Sequence, residues 1–116
     1  MDLITEIADH IKLLGDKTRL TIVALLQQRE WCVCEFVEIF DISQPAISQH
    51  IRKLKMGHLV KEERRGQWVY YSLNIEDKPH IKSVLSSLPK PLEILKEMGK
   101  QEPTALCVPD SSTCCS

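Results

Sequence analysis

Five cysteines carry the most distinctive chemistry of this 116-residue sequence. Cys32 and Cys34 form a Cys-x-Cys pair, and three more, Cys107, Cys114 and Cys115, lie near the C-terminus. Because five is an odd number, we interpret them as thiols that act as ligands or redox sensors rather than as a disulfide framework. Thiolates select soft metal and metalloid ions. The sequence therefore predicts a soft-ion site at Cys32 and Cys34, with the three C-terminal cysteines as further candidate ligands.

Each group of cysteines also has a simpler interpretation. Cys32 and Cys34 are alternatively small buried hydrophobic residues, as cysteines often are. The three cysteines near the C-terminus are alternatively exposed thiols without a function. Residues two apart on an α-helix point in nearly opposite directions, so at most one of Cys32 and Cys34 is comfortably buried. The same geometry predicts that the two sulfurs share an ion only when the start of their helix unwinds or shifts.

Apolar spacing and capping residues predict the elements that position these cysteines. Helices are expected over residues 3–14, from Asp16 onward, over 32–40, and over 44–56 with Ser43 as the N-cap. Residues 59–73 have the composition of a β-hairpin that turns at Gly66. Two short helices followed by a basic hairpin predict a winged helix-turn-helix, in the α+β class but mainly α, with 44–56 as the recognition helix.

The charges are distributed unevenly, although the net charge is only −1. Residues 44–72 contain six cations and two carboxylates, and the rest of the chain is acidic. This basic region suits a phosphate-binding surface. The predicted DNA contacts are base-edge or groove contacts from Ser43, Gln44, Ser48 and Gln49 and phosphate contacts from Arg52, Lys53, Arg64 and Arg65.

The length of the chain allows one domain with a single core, so a second DNA half-site requires a second chain. We expect the domain over residues 1–98 and a flexible tail over 99–116. Apolar stripes near both ends, on residues 3–14 and 81–98, predict dimerisation through the terminal helices. No signal peptide or membrane span is recognisable, so we expect a cytoplasmic protein with no membrane partner.

Four segments in sequence order resemble the arsenical-resistance repressor family of metal sensors, the ArsR/SmtB type. Residues 15–20 resemble the opening of the family's second helix, and 31–36 resemble its Cys-Val-Cys metal box. Residues 43–51 resemble its recognition helix, and 57–71 resemble its wing. The resemblance implies a homodimer that occupies operator DNA without an ion and leaves it when an ion binds.

The sequence departs from the family pattern at two places. Arsenic-sensing members usually carry a third cysteine where this chain has Val37. Arsenite and antimonite, the inducers that the resemblance implies, accept three sulfurs, so Cys107, Cys114 or Cys115, from the same chain or across the dimer, is a candidate third ligand. Alternatively, the adjacent Cys114 and Cys115 hold an ion by themselves. Asp77 and His80 resemble part of the family's zinc site, but its remaining ligands are missing, so we expect no zinc site there.

Two other functions compete with an arsenite-responsive repressor. A cadmium or lead sensor or a thiol-redox-sensing repressor has the same fold and uses the same cysteines. An enzyme is the alternative from another class, since vicinal thiols also carry out disulfide exchange. The sequence has no Cys-x-x-Cys motif in a βαβ setting, no glycine-rich phosphate loop and no base placed beside a nucleophile. We therefore expect no enzyme activity and no catalytic cofactor.

Overall fold

The computed structural model describes residues 2–100 of the chain. Six helices and a two-stranded antiparallel sheet follow each other in the order α1 Leu3–Leu14, α2 Lys17–Leu25, α3 Val33–Ile39, α4 Gln44–Met56, β1 Val60–Arg65, β2 Trp68–Leu73, α5 Pro79–Ser86 and α6 Pro91–Glu97. The predicted mainly helical fold with a wing is confirmed. In the part of the chain so described, no helix combines the length and the apolar character that a bilayer crossing requires.

Side-chain caps fix where the helices begin. The Asp16 carboxylate accepts a hydrogen bond from the Arg19 backbone N–H at 3.0 Å, and the Ser43 hydroxyl oxygen accepts one from the Ala46 N–H at 3.3 Å. Each cap satisfies a backbone donor that the first helical turn leaves unpaired. The predicted N-cap at Ser43 is confirmed, Asp16 caps the helix that was expected to begin there, and α4 ends at Met56 as predicted, with Gly57 as its C-cap.

Helix α4, the predicted recognition helix, packs one face against the hydrophobic core. Ile47, Ile51 and Leu54 are buried on one face of α4 and belong to the same apolar cluster as Phe36 of α3. The ring of Trp31 stacks on Phe36 with a centroid separation of 4.9 Å. The opposite face of α4 is thereby presented outward.

The wing consists of β1 and β2 in antiparallel register, with Val60 opposite Leu73 and Arg65 opposite Trp68. Gly66 at the turn has φ +64°, a left-handed conformation that glycine adopts without steric cost. Trp31 adds a short bridge to the other edge of β2: its N–H donates to the Tyr71 carbonyl at 3.1 Å, and its carbonyl accepts from the Tyr71 N–H at 2.8 Å. The segment before α3 is therefore attached to the wing.

The two terminal apolar stripes have different environments. Ile81 and Leu85 of α5 are buried in the core of their own chain. The stripe on residues 81–98 was expected to pack against a second chain, but its α5 residues are already buried within their own domain. Leu3 and Ile4 of α1 remain exposed, at 62% and 76%. In the C-terminal stripe, Leu92 is likewise exposed, at 66%.

Candidate thiol site and DNA-binding surface

The two sulfurs of the Cys-x-Cys pair converge. Cys32 is the N-cap of α3, with φ −104° and ψ 166°, so its backbone is extended and lies outside the helix that begins at Val33. Cys34 lies in the first helical turn, and its Sγ atom is 2.7 Å from that of Cys32. The expectation that the sulfurs point apart on an intact helix is wrong, because only one of the two residues is helical.

The pair is partly closed to solvent. Cys32 is buried and Cys34 is half-buried, which confirms that at most one of them is fully buried. Neither is a free thiol in the described part of the chain, since each is paired with the other. The property that matters for ligand binding is the convergence of two soft donors on one point.

Hydrogen bonds and an ion pair surround the Cys-x-Cys pair. One Glu35 carboxylate oxygen accepts from the Cys32 backbone N–H at 3.0 Å, and the other lies 3.0 Å from Arg29 Nη2. The Arg29 guanidinium also lies over the Trp31 ring, 4.3 Å from its centroid. Displacement of Cys32 therefore disturbs Glu35, Arg29 and Trp31 together.

A third ligand for the pair is not found among residues 2–100, where no three or more histidine, cysteine, aspartate or glutamate side chains are grouped to hold a metal ion. Cys107, Cys114 and Cys115 lie outside the described residues. At the expected position of the third family cysteine, Val37 packs against the core.

The two residues that resemble part of a zinc site both have protein partners. Asp77 forms an ion pair with Lys78, whose side-chain hydrogen bond lowers the pKa of the Asp77 carboxyl. His80 Nε2 lies 2.9 Å from His10 Nδ1. His10 Nε2 donates to the Gly57 carbonyl at 3.1 Å, because that oxygen can only accept. This buried histidine joins α1, α5 and the end of α4, a role that sequence reasoning missed because its partners are distant in sequence.

The outward face of α4 places most of the predicted DNA-contacting side chains together. Gln49, Arg52 and Lys53 are exposed. Gln44 donates to the Ser48 hydroxyl at 3.0 Å, which fixes one amide and one hydroxyl side by side. Amides, hydroxyls and cations on one exposed helix face can donate to base edges and phosphates. Ser43 lies at the start of this face, and its hydroxyl oxygen also serves as the N-cap.

The cations of the basic region fall into two groups. Lys55 pairs with Glu62 and lowers the pKa of that carboxyl, and Arg65 forms ion pairs of 2.8 Å with Glu30 and with Glu63. Among residues 2–100, no carboxylate forms an ion pair with the other cations of this region, Arg52, Lys53, Lys61 and Arg64. Lys61 was not among the predicted contacts, although its exposed position on β1 makes it a further candidate for phosphates.

This geometry defines a class of protein. A short positioning helix α3, a tight connection, an outward-facing helix α4 and a β-hairpin wing form the winged helix-turn-helix of DNA-binding regulators.

Comparison with known proteins defines the class more narrowly. Residues 16–62 match the model of the "Bacterial regulatory protein, arsR family". The chain is 34% identical to the arsenical resistance operon repressor of Escherichia coli strain K12, over 90% of this chain and 92% of that protein. It is 36% identical to the arsenic resistance transcriptional regulator ArsR1 of Pseudomonas putida, over 66% of this chain and 61% of that protein. The solved structure of reduced HlyU from Vibrio cholerae superposes with a TM-score of 0.62 and 26% identity, over 84% of this chain and 92% of that one.

The chain belongs to the ArsR family of bacterial regulatory proteins. It is a DNA-binding transcriptional repressor, and the expectation that it is not an enzyme is confirmed because its relatives and structural neighbours are transcriptional regulators. The resemblance noted in the sequence is thereby confirmed as well.

Proposed function

We propose that this repressor senses arsenite or antimonite through Cys32 and Cys34 and releases operator DNA when the ion binds. The observation that carries the proposal is the convergence of the two sulfurs, 2.7 Å apart at the start of α3. Two thiolates at one point form a soft donor set that suits such an ion. The Escherichia coli and Pseudomonas putida relatives are named as regulators of arsenical and arsenic resistance, which supports the choice of ion.

The third sulfur is proposed to come from Cys107, Cys114 or Cys115. Lys100 forms an ion pair of 3.6 Å with Asp41, which follows the end of α3. Since a helix rises about 1.5 Å per residue, Asp41 and Cys34 are separated by on the order of 10 Å. The seven residues from Lys100 to Cys107 span at most about 25 Å. The length of the chain thus permits a third sulfur from the same chain. We place the folded domain at residues 1–98, so this sulfur would come from the segment that follows it.

We propose that the repressor is a homodimer and that the exposed face of α1 contributes to its interface. Leu3, Ile4 and Ile11 are 62%, 76% and 55% exposed, and apolar patches of this kind mark association surfaces. A twofold arrangement places two copies of α4 in successive major grooves, about 34 Å apart. Sedimentation of an Ile4→Glu variant, which puts a charge on this face, is expected to show monomers at concentrations where the wild type is dimeric.

Ion capture and DNA binding are proposed to oppose each other. An ion held by both sulfurs must enter between them, which pushes Cys32 and Cys34 apart and disturbs the start of α3. A change in the spacing or tilt of the two recognition helices then weakens operator binding. A hundredfold loss of affinity corresponds to about 2.7 kcal/mol, which is within the ordinary range of coupling between two sites.

The test is operator binding with and without arsenite, measured on reduced protein without oxygen. The wild type is expected to release DNA, and Cys32→Ser and Cys34→Ser variants are expected to bind DNA normally and to keep it when arsenite is added. Cys107→Ser and a Cys114→Ser/Cys115→Ser pair, tested in the same way, identify the third ligand. Release that persists in both single variants at positions 32 and 34 contradicts the proposed site.

A thiol-redox sensor is the second candidate, favoured by the same short Sγ–Sγ distance. Oxidation by hydrogen peroxide forms a disulfide between the two sulfurs, and the two thiol protons and two electrons reduce the hydrogen peroxide to two waters. Release by peroxide alone supports this function, whereas release by arsenite without peroxide supports the ion sensor. Titration with cadmium and lead in the same assay tests the remaining soft ions.

A further inference from the structure

We propose that Glu30 is a positioning residue that couples the Cys32–Cys34 pair to the tip of the wing through its ion pair with Arg65. The inference deepens the proposed function, since it concerns how an event at the sulfurs changes DNA binding. Glu30 belongs neither to the proposed ion site nor to the predicted DNA contacts.

Glu30 lies where two connections between the thiol pair and the wing meet. It precedes Trp31 and Cys32 directly in the sequence, and its carboxylate is 2.8 Å from Arg65 Nη2. Trp31 is bonded in both directions to the backbone of Tyr71 in β2. The backbone bridge attaches residue 31 to the middle of the wing, and the ion pair attaches residue 30 to its tip. A shift of Cys32 is thus passed to the wing at two points.

Arg65 has competing partners at the end of the wing. Its guanidinium pairs with Glu63 as well as Glu30, each at 2.8 Å, and lies 5.0 Å from the centroid of the Tyr70 ring. The hydrogen bond from Arg65 also lowers the pKa of the Glu63 carboxyl. One cation between two carboxylates presents no excess positive charge to a DNA phosphate. Arg65 contacts a phosphate only by loosening one of these pairs, so the position of Glu30 regulates that contact.

Substitution of Glu63 is a matched control, because it removes one carboxylate partner from Arg65 just as substitution of Glu30 does. Glu63 belongs to the wing itself, whereas Glu30 belongs to the segment that leads into α3. Both carboxylates are partly exposed, so Glu30→Ala and Glu63→Ala are expected to fold. Without arsenite, each variant is expected to bind DNA about two- to fivefold more tightly than the wild type, because one competitor for Arg65 is gone.

The response to arsenite separates the two variants. We expect Glu63→Ala to keep the wild-type ratio of operator dissociation constants with and without arsenite, and Glu30→Ala to reduce this ratio at least about fivefold. Binding of arsenite itself, followed by sulfur-to-arsenic absorption, is expected to stay unchanged in both variants. Equal ratios in Glu30→Ala and Glu63→Ala overturn the proposal.

A second readout does not depend on any ion. The proposed connection acts in both directions, so DNA that displaces the wing is expected to move Trp31 and Cys32 and to change how accessible the two thiols are to a reagent. Alkylation of reduced protein by iodoacetamide, quantified by mass spectrometry on the peptide that contains both cysteines, is expected to change at least about twofold with operator DNA in the wild type and in Glu63→Ala, but not in Glu30→Ala. If this pattern holds while arsenite releases no DNA, the proposed inducer is wrong and the coupling stands. If DNA leaves alkylation of the wild type unchanged, the coupling is wrong.

Discussion

The surroundings of the Cys-x-Cys pair and the outward face of α4 differ in how far their polar groups are engaged. Around the cysteines, Glu35 bonds both the Cys32 N–H and Arg29, and Trp31 is bonded to β2. On α4, Arg52 and Lys53 are exposed and make no ion pair among residues 2–100. The two regions are joined by the core beneath α3 and α4.

The difference matches what each region must do. A sensing site needs a fixed donor geometry and bonded neighbours, so that a small displacement is transmitted rather than absorbed. A DNA-reading face needs cations and amides without competing protein partners, because every such partner has to be released before a phosphate or base is bound. Lys55 and Arg65 are the exceptions in the basic region, and the ion pair of Arg65 with Glu30 connects the two regions.

The largest expected effect comes from the buried side of α4. Leu54 is fully buried beneath the helix that carries the reading face. Leu54→Ala is expected to lower the free energy of unfolding by about 2–5 kcal/mol, since it leaves a cavity in the core. Urea denaturation measures this loss. A loss below about 1 kcal/mol would show that α4 is not held in place by the core.

A substitution on the outward face of α4 is expected to change DNA binding without changing the stability of the fold. Gln49→Ala is expected to leave the free energy of unfolding within about 0.5 kcal/mol of the wild-type value. It is also expected to cost about 1–3 kcal/mol of preference for operator over random duplex, because an exposed amide reads base edges. Arg64→Gln is the control, expected to weaken both duplexes equally and to lower the salt slope by about 0.9. Equal losses on both duplexes for Gln49→Ala would argue against a reading role.

The smallest expected effect concerns the ion pair that joins α4 to the wing. The side-chain hydrogen bond from Lys55 lowers the pKa of Glu62 below its ordinary value of 4.5. The ionised Glu62 carboxylate therefore contributes its full stabilisation of the folded protein at pH values above 4.5. This contribution is lost as the pH falls through the lowered pKa of Glu62. Glu62→Gln is expected to cost at most about 1 kcal/mol at pH 7, since the pair is partly exposed. The difference from wild type, followed by urea denaturation from pH 7 to pH 3, is expected to shrink; a constant difference would contradict this origin.

Local signals in the sequence predicted most of the fold correctly. Asp16 and Ser43 are short polar N-caps, Gly66 supplies the positive φ of the turn, and the spacing of Ile47, Ile51 and Leu54 marks the buried face of α4. Each of these features depends on neighbours within a few residues in the chain.

Long-range contacts explain what the sequence did not predict. The helix was expected to include Cys32, but Trp31 pairs with Tyr71, forty residues later, and Cys32 remains extended. The ion pair of Arg65 with Glu30 joins residues that are thirty-five positions apart. The burial of Leu85 likewise depends on packing in the core and not on its own helix. None of these contacts leaves a periodic signal in the sequence.

Amide hydrogen exchange on arsenite binding distinguishes a local change from a general loss of structure, because ion capture is proposed to disturb the start of α3 and to pass to the wing while the end of α3 stays intact. The reduced protein is compared with and without arsenite in the absence of DNA. We expect that the Phe40 amide, which is bonded to the Phe36 carbonyl at the end of α3, keeps its protection, while protection of the Trp31 and Tyr71 amides falls. Loss of protection at Phe40 with no change at Trp31 and Tyr71 would contradict this expectation.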